Sequence, residues 1–161
     1  MKNKEGFQKL LNKSYKYLER RIRTEYEMRT YLERKCKQFP QWYDATAISD
    51  VMKKLLALKY LNDWEFINSW VVTRLALKPK GEYGLSIELQ KKGVKKDLIH
   101  KYFEENPLEE DALALAFVSK IASKYFPIDR LTKQKLFQKA LRRGFKSSSI
   151  IKAFAEIDKK K

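Results

Sequence analysis

One pattern recurs three times in this chain and limits what it can fold into. An apolar pair four residues apart is followed by a helix stop and then by a second apolar stripe. In the middle copy Leu85 and Leu89 share a helix face, Gly93 follows, and Ile99 opens the next stripe. Glycine can close a helix in left-handed backbone at no steric cost, and Lys91 and Lys92 suit the negative end of the dipole. Met28 and Leu32 form the first pair, and Leu136 and Ala140 the third. Gly144 matches Gly93 and Ile150 matches Ile99, whereas Cys36 stands at the glycine position of the first copy. The pairs lie 57 and 51 residues apart, close to the upper edge, about 50 residues, of known repeat periods. The expectation is an all-α fold of three tandem three-helix, helix-turn-helix-like repeats. They would cover 1–62, 63–107 and 108–161 of a single domain, each too small to bury its own face.

Low glycine and proline counts (5 and 4) and 43% hydrophobic residues agree with packed helices. The first helix is predicted over about 4–21, with Phe7, Leu10, Leu11 and Leu18 inward. Thr24 with Glu27 fits a capping box for the second, which fades before Pro40. The third covers about 43–58, with Ile48, Val51, Leu55 and Leu58 inward. Asp63 is the predicted cap of the fourth, whose stripe is Phe66, Ile67, Trp70, Val71 and Leu75. Glu109, Glu110 and Asp111 open the seventh, with Leu113, Phe117 and Ile121 inward. Thr132 and Ser147 are the predicted caps of the eighth and ninth. Ile150, Ile151, Phe154 and Ile157 mark the ninth helix.

Catalytic chemistry finds little footing. His100 is the only histidine. Its spacing to Glu104 has the form of a metal pair, but no second histidine or cysteine cluster joins it, so an exposed helix residue is the preferred reading. Gly81 and Gly84 lack the Lys-Ser/Thr sequel of a phosphate loop. Cys36, the only cysteine, reads as a packed thiol near a helix end, and an intrachain disulfide is impossible. Asp63 reads as a cap rather than a general acid. The chain is expected not to be an enzyme and to need no cofactor or metal.

Charge is the stronger signal. The formal net charge is +16 with a pI of about 9.8, which speaks of partners rather than of fold. Nucleic acid, or an assembly containing it, leads; a ribosome or an anionic membrane would also match the charge alone. The excess is +7 over 1–37 and +7 over 108–161, against zero over 38–63 and +2 over 64–107. Candidate contacts are Arg20, Arg21 and Arg23; Arg29 and Arg34; Lys80; Lys91, Lys92, Lys95 and Lys96; and Arg142, Arg143 and Lys146. If the repeats stack in register, the turns at Gly93 and Gly144 would share an edge able to follow a phosphate backbone. Tyr15, Tyr17, Tyr26 and Trp42 lie near these cations; base stacking is open to them, and packing between repeats is preferred. No apolar run nears the ~18 residues of a membrane span, so a cytoplasmic protein without a membrane partner is expected.

These residues carry a family resemblance. Arg23-Thr24-Glu25-Tyr26-Glu27-Met28 with Leu32, Tyr60 through Phe66, Lys80-Gly81 through Leu89 to Val94, and Leu141 through Phe145 occur in the order and spacing of the RecX family. Departures are Ile67, where alanine is usual, Cys36 in place of glycine, and a longer Gln38–Asp44 connection. The resemblance implies a modulator, usually an inhibitor, of RecA recombinase filaments on single-stranded DNA, in recombination, DNA repair and the SOS response. It further implies a monomeric, elongated, curved array lying in the filament groove, touching recombinase and DNA. A stand-alone nucleic-acid-binding helical repeat protein is the alternative. It would need a base-reading helix, for which the ninth, with Ser147-Ser148-Ser149 and mostly apolar residues after, is a poor candidate.

Overall fold

A computed structural model describes residues 2–40, 46–125 and 127–159. Within them the chain forms nine α-helices and no strand. They are α1 (Lys2–Leu18), α2 (Glu25–Gln38), α3 (Ala47–Ala57), α4 (Asp63–Leu77), α5 (Glu82–Lys91), α6 (Lys96–Glu105), α7 (Glu110–Ala122), α8 (Arg130–Arg142) and α9 (Ser147–Lys159). Trp42, the predicted start of the third helix and most of the Gln38–Asp44 connection lie outside the described residues.

The helices group into two compact units. The first comprises Met1–Asn68 with Lys91–Lys95, and the second Ser69–Gln90 with Lys96–Lys161. In the first unit α1, α2 and α3 bury Leu10, Met28, Leu32, Val51 and Leu55 completely. Met28 and Leu32 share the inward face of α2, as their spacing requires. Cys36 packs, half-buried, against this core. In the second unit α7 and α9 form the central contact, and α8 closes the core with Leu136 and Ala140.

The predicted capping box at Thr24 is present. Other starts and faces differ from expectation. Asn62, not Asp63, caps α4: its Oδ1 accepts from the N–H groups of Trp64 and Glu65 at 3.0 and 3.2 Å. Asp63 instead accepts from the N–H of Glu25, the first residue of α2, at 2.9 Å. Asp129, not Thr132, caps α8, and Thr132 supplies the N–H donor at 2.7 Å. At α9 the acceptors come from α7. Glu110 accepts from the N–H of Lys146 and Asp111 from the hydroxyl of Ser149, both at 2.6 Å.

The inward face of α7 is one residue round from the predicted one. Ala114, Val118 and Ala122 are buried, and Leu113, Phe117 and Ile121 flank them half-covered. Small side chains let α7 approach α9 closely, and that approach, not side-chain size, selects the buried stripe. Leu58 and Ile151 are exposed, Leu58 because it is already the C-cap of α3.

The glycine turns follow their sequence. Gly93 and Gly144 both have φ of +81°. At Gly144 a Schellman closure forms, with Phe145 N–H on Ala140 C=O at 3.4 Å and Gly144 N–H on Leu141 C=O at 2.8 Å. Cys36 cannot adopt that backbone cheaply. Accordingly α2 runs on to Gln38, whereas α5 and α8 stop two residues before their glycines.

Candidate partner-binding surfaces

Within each unit a helix start docks on a glycine turn, and several of the basic residues belong to these junctions. In the first unit Thr24 is fully buried. Its hydroxyl donates to the carbonyl of Lys92 at 2.7 Å and accepts from the Glu27 N–H at 3.0 Å. Arg21 grips the Glu27 carboxylate with two bonds, at 2.8 and 3.0 Å, and Lys92 Nζ approaches it at 3.4 Å. Burial works to raise the Glu27 pKa; Arg21 and Lys92 outweigh it and hold the carboxyl below its ordinary value. Arg23 is 9% exposed, with its guanidinium 4.0 Å from the centre of the Tyr17 ring, which in turn stacks on Tyr31.

In the second unit Glu88 plays the corresponding part. It accepts from Lys80 at 2.6 Å, Arg74 at 2.9 Å and the Trp70 indole at 3.0 Å. Burial again pushes its pKa up, and these donors bring it below the ordinary value. The N–H of Gly81 donates to the Arg143 carbonyl at 3.1 Å, and the Arg143 guanidinium lies 5.6 Å from the Phe117 ring centre.

Arg21, Arg23, Lys80, Lys92 and Arg143 therefore have internal partners. The other predicted contacts, Arg20, Arg29, Arg34, Lys91, Lys95, Lys96, Arg142 and Lys146, are exposed. Of these only Lys146 lies within 4 Å of a carboxylate among the described residues, at 3.9 Å from Glu110. Arg20, Arg29, Arg34, Lys91 and Lys95 belong to the first unit, and Lys96, Arg142 and Lys146 to the second. Of the tyrosines, Tyr15 packs on Tyr60, while Tyr26 remains 57% exposed. His100 is exposed and lies 3.3 Å from Glu104. Among the described residues no group of three or more His, Cys, Asp or Glu could hold a metal. No helix there is long and apolar enough to cross a membrane.

A cleft in the second unit joins the predicted contact Arg143 to four lysines that the sequence did not mark out. It measures about 390 Å³. Lys78, Lys120, Lys124, Lys139 and Arg143 line it, together with an apolar floor that includes Leu77, Phe117 and Ile121. These cations come from three helix ends and form no run in the sequence. The signal available was a basic residue in or just past the last turn of α4, α7 and α8.

Similarity to known proteins follows the same segments. No protein-family model matches the chain. Regulatory protein RecX of Bacillus pumilus is 34% identical over 160 residues, covering 95% of this chain and 55% of that protein. Its counterpart in Halalkalibacterium halodurans is 32% identical over 152 residues, covering 93% and 55%. Along nearly its whole length the chain is similar to proteins of the RecX family. It spans about half the length of the curated RecX relatives it matches. The crystal structure of RecX from Lactobacillus salivarius superposes with a TM-score of 0.79 at 24% identity, covering 95% of this chain and 97% of that one. A second RecX crystal structure gives 0.73 at 23% identity, with 89% and 69% covered. These two likenesses establish the RecX fold, which is all-helical here among the described residues.

Proposed function

We propose that this chain regulates a RecA-type recombinase, binding its filament on single-stranded DNA and restraining its activity in recombination, repair and the SOS response. The observation that carries this reading is the similarity to proteins named regulatory protein RecX along nearly the whole chain. The net charge of +16 supports it, because a filament on DNA offers both phosphates and protein carboxylates. In this reading the chain is a cytoplasmic monomer built of three tandem repeats. Binding energy is spread over a long surface rather than concentrated in a reaction centre. Arg20, Arg29, Arg34, Lys91, Lys95, Lys96, Arg142 and Lys146 make the contacts, while Arg21, Arg23, Lys80, Lys92 and Arg143 hold the scaffold that presents them. The regulator itself performs no chemistry and requires no cofactor.

The test is recombinase ATP hydrolysis and strand exchange on single-stranded DNA with substoichiometric chain added. Loss of both activities is expected. Unchanged activities together with tight binding to naked DNA would overturn the proposal in favour of a stand-alone nucleic-acid-binding protein. Charge reversal at Lys91, Lys95 and Lys96 is expected to weaken filament binding and flatten its salt dependence.

A further inference from the structure

The cleft between the ends of α4, α7 and α8 is electrostatically unbalanced. Among the described residues, none of Lys78, Lys120, Lys124, Lys139 and Arg143 lies within salt-bridge distance of a carboxylate and none of the cleft's lining is acidic. In the same unit two other cations are neutralised, Lys133 by Asp158 at 2.8 Å and Lys152 by Asp111 at 2.6 Å, whereas Lys96 and Arg142 stand exposed outside this cleft. Three helix C-termini face these five charges. Each contributes about −0.5 of a charge, so together they offset about −1.5 of the five positive charges and leave about +3.5 that no carboxylate neutralises.

The floor decides which anion fits. Leu77 is 73% exposed, a large apolar side chain left in water, and Ile121, Ala76, Ala116 and Pro79 continue the aliphatic surface. Phe117 is the only aromatic among the described residues of the lining, and its ring already meets Arg143 and, at 5.5 Å between centres, Phe145. Nucleobases need open aromatic planes to stack on, and the described residues of the cleft offer none. Aliphatic side chains flanked by carboxylates match both the floor and the rim.

We propose that this cleft docks an acidic segment of a protein partner, its apolar side chains resting on Leu77 and Ile121 and its carboxylates held by the surrounding lysines. The proposal goes beyond the recombinase reading, and its test contains no recombinase, so the two fail separately. The probe is a dye-labelled synthetic helix carrying Glu and Leu at i, i+4 spacing, titrated with the full chain by fluorescence anisotropy. A second peptide with each Leu replaced by Ser, and an oligodeoxythymidylate of equal charge, are run beside it. Lys120→Glu combined with Lys139→Glu should weaken the Glu/Leu peptide about tenfold or more. Leu77→Ser should weaken it about fivefold, while leaving the oligonucleotide unchanged, and the Ser peptide should bind correspondingly less well. Lys37→Glu, an exposed cation on α2, serves as the control and should leave the peptide's affinity unaltered. All these side chains lie at the surface, and melting curves verify that the variants fold. Peptide binding that neither cleft variant alters would refute the site. So would an oligonucleotide that binds tighter than the peptide and is lost in the Lys120→Glu/Lys139→Glu variant.

Discussion

At Gly93 the docking helix presents a tyrosine side chain; at Gly144 it presents bare backbone. A Cβ on Gly93 would fall 2.2 Å from Cγ of Tyr26, whereas one on Gly144 would fall 2.1 Å from the backbone nitrogen of Gly84. The bond that joins each pair uses the same acceptor, the carbonyl just before the glycine. The donor differs: the Thr24 hydroxyl reaches Lys92, and the Gly81 amide reaches Arg143. Thr24 and Gly81 stand 57 positions apart, the offset between the Met28/Leu32 and Leu85/Leu89 pairs. A hydroxyl extends the reach of the helix start by the length of a side chain, so the first junction can house Tyr26. The second junction has no side chain to spare, and Gly81, Gly84 and Gly144 let backbone touch backbone. One junction is therefore adjustable and the other is not.

The largest test of that contrast is Gly144→Ala. Positive φ and a backbone neighbour combine, nothing can move aside, and a loss of about 4 kcal/mol is expected in denaturant unfolding. Gly93→Ala should cost less, about 2–3 kcal/mol. Removing the Tyr26 ring in the same chain should return about 1 kcal/mol of that, because two of the three nearest overlapping atoms disappear with it. Equal costs at the two glycines, with no coupling to Tyr26, would erase the distinction.

Thr24→Ala comes next, at about 2 kcal/mol, since one buried hydroxyl serves both the α2 cap and the Lys92 carbonyl. Thr24→Ser keeps both bonds and should stay within about 0.5 kcal/mol of the parent in the same unfolding measurement.

Acid should weaken both units for the same reason. Glu27 and Glu88 have folded pKa values below their ordinary value of 4.5, so each stabilises the fold above that value and loses its contribution as pH falls through the folded pKa. The stability gap between the parent and Glu27→Gln, or Glu88→Gln, should therefore be open at neutral pH and close as pH falls below 4.5 and through the folded pKa. A gap that widens on acidification would contradict the assignment. Asp63 runs the opposite way: burial raises its pKa against the Glu25 amide bond, so its ionised form is the disfavoured one and acidification relieves it.

The smallest effect expected is a gain. Lys59 closes α3 at φ +58° in the place that glycine fills at Gly144, with Tyr60 N–H on Leu55 C=O at 2.9 Å. Lys59→Gly should stabilise the first unit by about 0.5–1 kcal/mol, read from a shift in its unfolding midpoint.

Local pattern was enough for much of this molecule. Period and caps announced the helices, Met28/Leu32, Leu85/Leu89 and Leu136/Ala140 announced the core, and two glycines announced their left-handed turns. These features are set by neighbours within a turn or two of helix, and a sequence displays its neighbours. What failed depended on residues distant in the chain. Asp63 is a cap for α2 rather than for its own helix, because a chain reversal brings residue 63 to residue 25. On α7 the approach of α9 turned the buried stripe to Ala114, Val118 and Ala122. Of the predicted contact residues, Lys92 and Arg143 looked like surface charge, and Glu27 and Phe117, far away in the chain, claimed them. The basic cleft was invisible as a run, since its cations sit at three separate helix ends. Sequence by itself determined the helices, their stops and the charge excess, because each is a sum over local chemistry. Which charges find partners and which remain open was decided only by folding, because pairing requires atoms within a few ångströms that the chain places tens of residues apart.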